Sequence, residues 1–192
     1  MLFLQRWIVL SACALVMGAC LEDTSDQLQG GNIEASSFIA QSGAFLGFEN
    51  WESIDIANPL TTAHSGARVQ VFLNKRPASG SAYFPVGTMI VKTSQKDPAN
   101  KQAWEIHSMV KRGGNFNSNG ALNWEYFELR FNEKLNLTLL WNGEAPPTDH
   151  GYEPLPGVGG AAGELLSCNS CHAKEPAKDF VLSSELSLQN LQ

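Results

Sequence analysis

From position 68 onward, apolar and polar residues alternate in short runs with a period of two, as half-buried strands do. Residues 68–74 (RVQVFLN) put Val69, Val71 and Leu73 on one face. Residues 87–93 (GTMIVKT) are rich in β-formers and follow a Pro85–Val86–Gly87 turn. Residues 104–110 (WEIHSMV) alternate again, and 113–120 (GGNFNSNG) form a loop by composition. Residues 123–131 (NWEYFELRF) and 136–141 (NLTLLW) complete about five strands. Connections this short predict an antiparallel sheet that twists and curls around a core. Ahead of it, residues 33–57 space Ile33, Phe38, Ile39, Phe45 and Trp51 among small and polar residues, a helix-compatible pattern closed by Asn58–Pro59. Behind it, residues 142–163 read as a Pro/Gly linker and 164–171 as a short helix. The expected fold is mainly β (α+β): a curled antiparallel sheet of about five strands, an N-terminal helical segment and a C-terminal helix.

The first twenty residues follow a different rule. Arg6 is the only early positive charge, and residues 7–17 (WIVLSACALVM) are an apolar run ending in Gly18–Ala19–Cys20. A short positive start, a brief apolar core and small residues at its end read as an export signal, too short to remain as a membrane span. Leu15–Val16–Met17–Gly18–Ala19–Cys20 resembles a bacterial lipobox, with Met17 where Leu is usual. On that resemblance residues 1–19 are a lipoprotein signal peptide, Cys20 is lipidated, and 20–32 are a tether. Leu21–Glu22, with no Asp after the Cys, leans towards the outer membrane of a Gram-negative bacterium, with the domain facing the periplasm.

Composition narrows the function classes. Hydrophobic residues make up 43% and charged ones 17%, an ordinary globular balance. Thirteen Lys and Arg against nineteen Asp and Glu give a net charge of −6. With no basic run, nucleic acid is not an expected partner.

Export also changes what the cysteines mean. Cys13 leaves with the signal and Cys20 takes the lipid, so Cys168 and Cys171 remain, in the run Cys168–Asn169–Ser170–Cys171–His172. Cys-x-x-Cys-His is the attachment signature of c-type haem. Two thiols one helical turn apart can add to the two vinyl groups of a porphyrin, and the adjacent imidazole then serves as proximal iron ligand. A zinc site would want four ligands, and there is no second Cys pair. A thioredoxin-type dithiol belongs near a βαβ unit, whereas this pair follows a Gly/Pro-rich stretch near the C-terminus. One covalently bound haem c is therefore expected, on Cys168 and Cys171 with His172 on the iron, carried by the C-terminal helix.

The motif lies late, with no Met or His among the twenty residues after His172. That disfavours small electron-transfer cytochromes with an early motif and a downstream Met ligand. A β body likewise disfavours the four-helix cytochromes c′.

Residues from about 64 to 182 resemble the cytochrome P-460 family, which includes the β-sheet cytochromes c′. The matching pieces are residues 64–74 (HSGARVQVFLN), 83–92 (YFPVGTMIVK), Met109-Val-Lys111, Trp124-Glu-Tyr126, the Cys168–His172 motif and Asp179-Phe-Val181. The resemblance implies a small antiparallel β domain over 33–185, with 186–192 as a tail, a possible homodimer, and one five-coordinate c-type haem with an open distal face. It also implies one of two activities: binding or redox processing of nitric oxide and related small nitrogen oxides, or oxidation of hydroxylamine. In the hydroxylamine branch a lysine between the first strand and the Pro-x-Gly turn is joined to the porphyrin. Residues 77–84 (PASGSAYF) hold no lysine; Lys75 is the nearest, and Lys92 matches a different family position and reads as structural. A distal carboxylate would fall to Glu125 or Glu128. A third reading is a six-coordinate electron carrier with His64, His107, His150 or a Met as sixth ligand, serving a redox partner that the residues do not name. Met89 and Met109 read as core, His107 as lying with Glu105 on the less buried strand face, and Phe72, Phe84, Phe116, Phe127 and Phe131 as apolar lining for a haem pocket.

Overall fold

In the computed structural model, the described residues are 36–57, 67–147 and 168–191. All belong to the unit Asn32–Gln192. The signal segment, Cys20, the tether, His64, His150 and the linker from 148 on lie outside them. No helix among the described residues is long and apolar enough to cross a membrane.

The alternating runs do form strands. These are β1 (Glu52–Asp55), β2 (Arg68–Leu73), β3 (Met89–Gln95), β4 (Glu105–Lys111), β5 (Trp124–Phe131) and β6 (Leu137–Gly143). Each pairs antiparallel with the next, in chain order, to give one six-stranded sheet that does not close. Type II turn chemistry joins two of them: Gly87, at φ 81°, takes the left-handed position after Pro85–Val86, and the Thr88 amide donates to the Pro85 carbonyl at 3.0 Å.

Among the described residues the expected N-terminal helix is not found. Residues 42–50 instead make two 3-10 turns, Ser42–Phe45 and Phe48–Asn50, separated by Gly47 at φ 72°. A left-handed residue cannot continue a right-handed helix, and the turn it permits drives both Phe45 and Phe48 into the core. The chain then enters β1, a four-residue edge strand whose single Ser53–Ile54 alternation is too brief to stand out in the sequence.

Register sorts the side chains onto two faces. One carries Phe72, Met89, Val91, Ile106, Val110, Phe127, Leu129 and Phe131, covered by Ala40, Phe45 and Phe48. The other carries Val71, Leu73, Ile90, Met109, Trp124, Tyr126 and Trp141, covered by Phe84, Ala121 and the C-terminal segment through Val181, Leu186 and Leu191. Residues 186–191, set apart as a tail by the resemblance, thus supply two buried leucines, the second at the end of α2 (Leu188–Leu191). A bulge opposite Glu128–Leu129 gives β6 one extra residue. Leu137 and Leu139 therefore face the first cluster and Trp141 the second.

Candidate functional site

Cys168 to His172 form a single helical turn, α1 (Cys168–His172), on the second sheet face. The expected start of this helix, 164–167, lies outside the described residues. Both thiols are free, and Cys168 packs against the buried cluster of that face. Burial raises the Cys168 thiol to about 11, against the pull of the Lys92 ammonium.

His172 follows on the same turn. Its Nδ1 lies 2.6 Å from the Phe180 carbonyl oxygen. A carbonyl can only accept, so Nδ1 carries the proton and Nε2 keeps its lone pair. Burial holds the imidazole neutral down to about 4. The ring packs on Tyr126, with centroids 5.3 Å apart at 49°. A neutral imidazole whose second nitrogen is engaged by a carbonyl is the form in which histidine binds metals.

Two polar devices hold this turn. Asn117, from the loop between β4 and β5, exchanges amide hydrogen bonds with Asn169 inside the motif, at 2.8 and 3.0 Å. The Ala121 amide also donates to Asn169 Oδ1 at 2.8 Å. On the other side, Asp179 is buried and accepts from Lys111 Nζ at 2.5 Å and from the Phe84 amide at 2.8 Å. Its own carbonyl accepts from Trp124 Nε1 at 2.9 Å. Nothing in the residues themselves assigned a role to Asn117, Asn169, Lys111 or Asp179. Their only signals were an asparagine-rich loop and short pieces of the family resemblance.

Beside the motif, one row across the sheet is polar. Val71, Lys92, His107, Glu128 and Trp141 stand directly opposite one another from β2 to β6. Trp141 Nε1 donates to Glu128 at 2.7 Å, and His107 Nδ1 lies 3.5 Å from Glu105. Burial lowers Lys92 to about 8, opposed by the Glu105 carboxylate; the charges of both cysteines also act on it. The next row, Leu73, Ile90, Met109 and Tyr126, is apolar except for the Tyr126 hydroxyl. That oxygen is buried and has no hydrogen-bond partner among the described residues.

Several expectations change here. Lys92 stands on the motif face within electrostatic reach of both thiols, whereas Lys75 donates to the Val86 carbonyl at 2.7 Å, beside Phe38. Of the two carboxylates, Glu128 shares the motif face. Glu125 points to the opposite one, held by Arg112 at 3.0 Å and Asn142 at 2.7 Å. His107 is buried, not on an exposed side. Phe72, Phe127 and Phe131 belong to the other sheet face and cannot line a pocket at the motif. Phe116 lies under the Arg112 guanidinium, and only Phe84 packs on the motif side, against Trp124. Met89 and Met109 are both core, on opposite faces.

Among the described residues no three His, Cys, Asp or Glu side chains converge to hold a bare metal ion. Comparison with family models, curated proteins and solved structures gives no match, so the likeness over residues 64–182 rests on those residues alone.

Proposed function

We propose that this chain is an exported mono-haem c-type protein whose haem is attached through Cys168 and Cys171. His172 is the proximal iron ligand, and small nitrogen oxides, nitric oxide above all, bind or react on the other side. The observation that carries the reading is the Nδ1 contact of His172 with the Phe180 carbonyl, one residue after a pair of free thiols on a single turn. That contact prepares Nε2 as a donor, and a haem iron asks one such donor of the chain on one face. The residues fit the group: Cys168 packs against the apolar cluster of Ile90, Met109, Tyr126 and Trp141, and the Tyr126 hydroxyl there has no hydrogen-bond partner among the described residues. When bound, haem supplies an iron that exchanges small diatomic ligands. The chain contributes attachment through its thiols, a neutral imidazole oriented by Phe180, and the polar row from Lys92 to Glu128. On this reading Cys20 carries the lipid that tethers the domain to the outer membrane, facing the periplasm.

The test is the absorption spectrum of the protein made with c-type maturation, before and after dithionite and then nitric oxide. Covalent haem with a broad reduced Soret band that moves on adding nitric oxide is expected, and C168S/C171S should lose the covalent haem. Wild-type protein without covalent haem would overturn the reading. Sharp α and β bands indifferent to nitric oxide would assign a six-coordinate electron carrier instead.

The position of Lys92 favours a second reading, oxidation of hydroxylamine by a haem joined to a lysine. A haem peptide bearing a third strand of chain that contains Lys92, found by mass spectrometry, would establish it. A haem peptide with only the Cys168–His172 segment would exclude it.

A further inference from the structure

We infer that the buried Lys111–Asp179 pair is a positioning device: it fixes a left-handed turn at Asp179–Phe180 and thereby aims the Phe180 carbonyl at His172 Nδ1. The unusual feature is backbone. Asp179 and Phe180 both have positive φ, 50° and 65°. Asp tolerates the left-handed region, but an aromatic residue there is strained and stays only where its surroundings over-determine it. Here they do. The Asp179 carboxylate is held by Lys111 from the end of β4 and by the Phe84 amide, and the Asp179 carbonyl is held by the Trp124 indole from β5. The Phe180 amide donates back to Glu175 at 2.9 Å, and Val181 is buried in the cluster below. With both neighbours pinned, the Phe180 peptide has one orientation, and its carbonyl meets His172 at 2.6 Å.

Lys111 and Asp179 are each at most 3% exposed, so the pair carries the desolvation cost of two buried charges. A stability role alone would be served as well by apolar residues of similar volume. What apolar residues could not supply is three directional anchors on one side chain and its carbonyl, and these are what the left-handed turn requires. Outer partners of this kind set the tautomer and orientation of a liganding imidazole. Lys111 and Asp179 therefore act on His172 through Phe180, without touching it. The orientation concerns the chain by itself; its meaning for an iron rests on the haem reading above.

The experiment is nitrogen-15 NMR of histidine-labelled, haem-free full-length protein at neutral pH, which reports which ring nitrogen of His172 carries the proton. Wild type is expected to show one tautomer, with the proton on Nδ1. D179A, and the charge-free pair K111M/D179L should D179A not fold, are expected to show a mixture of the two tautomers while the sheet amides stay dispersed. D179N, which keeps an acceptor for the Phe84 amide, should retain more of the Nδ1 form than D179A. In the haem-loaded protein the same variants should shift the iron–histidine stretching frequency to lower values in resonance Raman spectra of the ferrous state. A folded K111M/D179L protein with the single wild-type tautomer would overturn the inference. Failure to acquire haem would remove the functional reading and leave the tautomer result standing.

Discussion

The two faces of the sheet are built from the same strands and do different work. The face under residues 38–51 is aromatic and closely packed. Phe45 meets Phe127 at 5.1 Å, Phe48 meets Phe72 at 5.1 Å, and Phe48 stacks on Phe131 at 6.1 Å. Its internal polar groups, Gln70, Thr93 and Gln95, satisfy one another, and its buried carboxylate, Glu125, sits at one end with Arg112 and Asn142. The motif face alternates apolar and charged rows instead. It buries Lys111 with Asp179, sets Lys92, His107 and Glu128 across neighbouring strands, and leaves a tyrosine hydroxyl without a partner among the described residues. Buried charges and unmet hydrogen bonds cost a fold stability. On the reading proposed above, the first face supplies stability and the second the residues of the haem site.

The sharpest way to break that division is to damage the aromatic face. Phe127 is 1% exposed and packs against Phe45. Removing such a ring leaves a cavity and costs about 3–5 kcal/mol. F127A should lower the free energy of unfolding in urea by that amount, while the spectrum of the folded fraction, on the haem reading proposed above, stays that of wild type. A changed spectrum would mean that the two faces are coupled through the strands.

The second prediction concerns acid. In the unfolded chain an imidazole takes its proton near 6.5; burial lowers His172 to about 4 in the folded one. Between those values the unfolded state binds more protons. Stability is therefore complete above pH 6.5 and falls as the pH is lowered towards 4, by about 3 kcal/mol from this group. Urea titrations of the haem-free chain at successive pH values should show that slope. H172N, which can still offer an N–H to the Phe180 carbonyl, should lose it. An equal slope in H172N would show that the loss belongs to other groups.

How much of this was legible beforehand follows from the range of the interactions. The five strands after position 68 were legible because Val, Ile, Phe, Trp and Tyr alternate with polar residues, and that pattern is local. The Cys168–His172 motif was legible for the same reason. β1 was not, because its four residues fall within the helix-compatible spacing of Ile33, Phe38, Ile39, Phe45 and Trp51, and Gly47 overrides that spacing. The pocket lining is not legible, because the five phenylalanines are alike in sequence and only register decides which face each takes. The Asn117–Asn169 clasp and the Lys111–Asp179 pair are hidden by distance along the chain. Asn117 is 52 positions from Asn169, and Lys111 is 68 from Asp179. Read locally, each is an ordinary turn or strand-end residue.

The smallest effect sharpens the comparison most, because it isolates the polar clasp from the apolar cluster. Asn169→Ala removes the acceptor of the Ala121 amide and both amide bonds to the buried Asn117, leaving donors unpaired. The expected loss is about 1–3 kcal/mol. Gly120→Ala attacks the same contact from the backbone. A Cβ at Gly120 would lie 2.2 Å from Asn169 Nδ2, 2.3 Å from its Oδ1 and 2.5 Å from Asn117 Oδ1. Those atoms cannot turn aside without opening the clasp, so G120A should cost about as much as N169A. Once Asn169 has been shortened, the two nearest obstacles are gone, and Asn117 is held only by the bond from its Nδ2 to the Trp124 carbonyl at 3.2 Å. G120A should then cost little in the N169A background, and the double-mutant cycle should be strongly non-additive. Additive losses in urea unfolding would mean that Gly120 is required for the path of the loop and not for the grip on the motif.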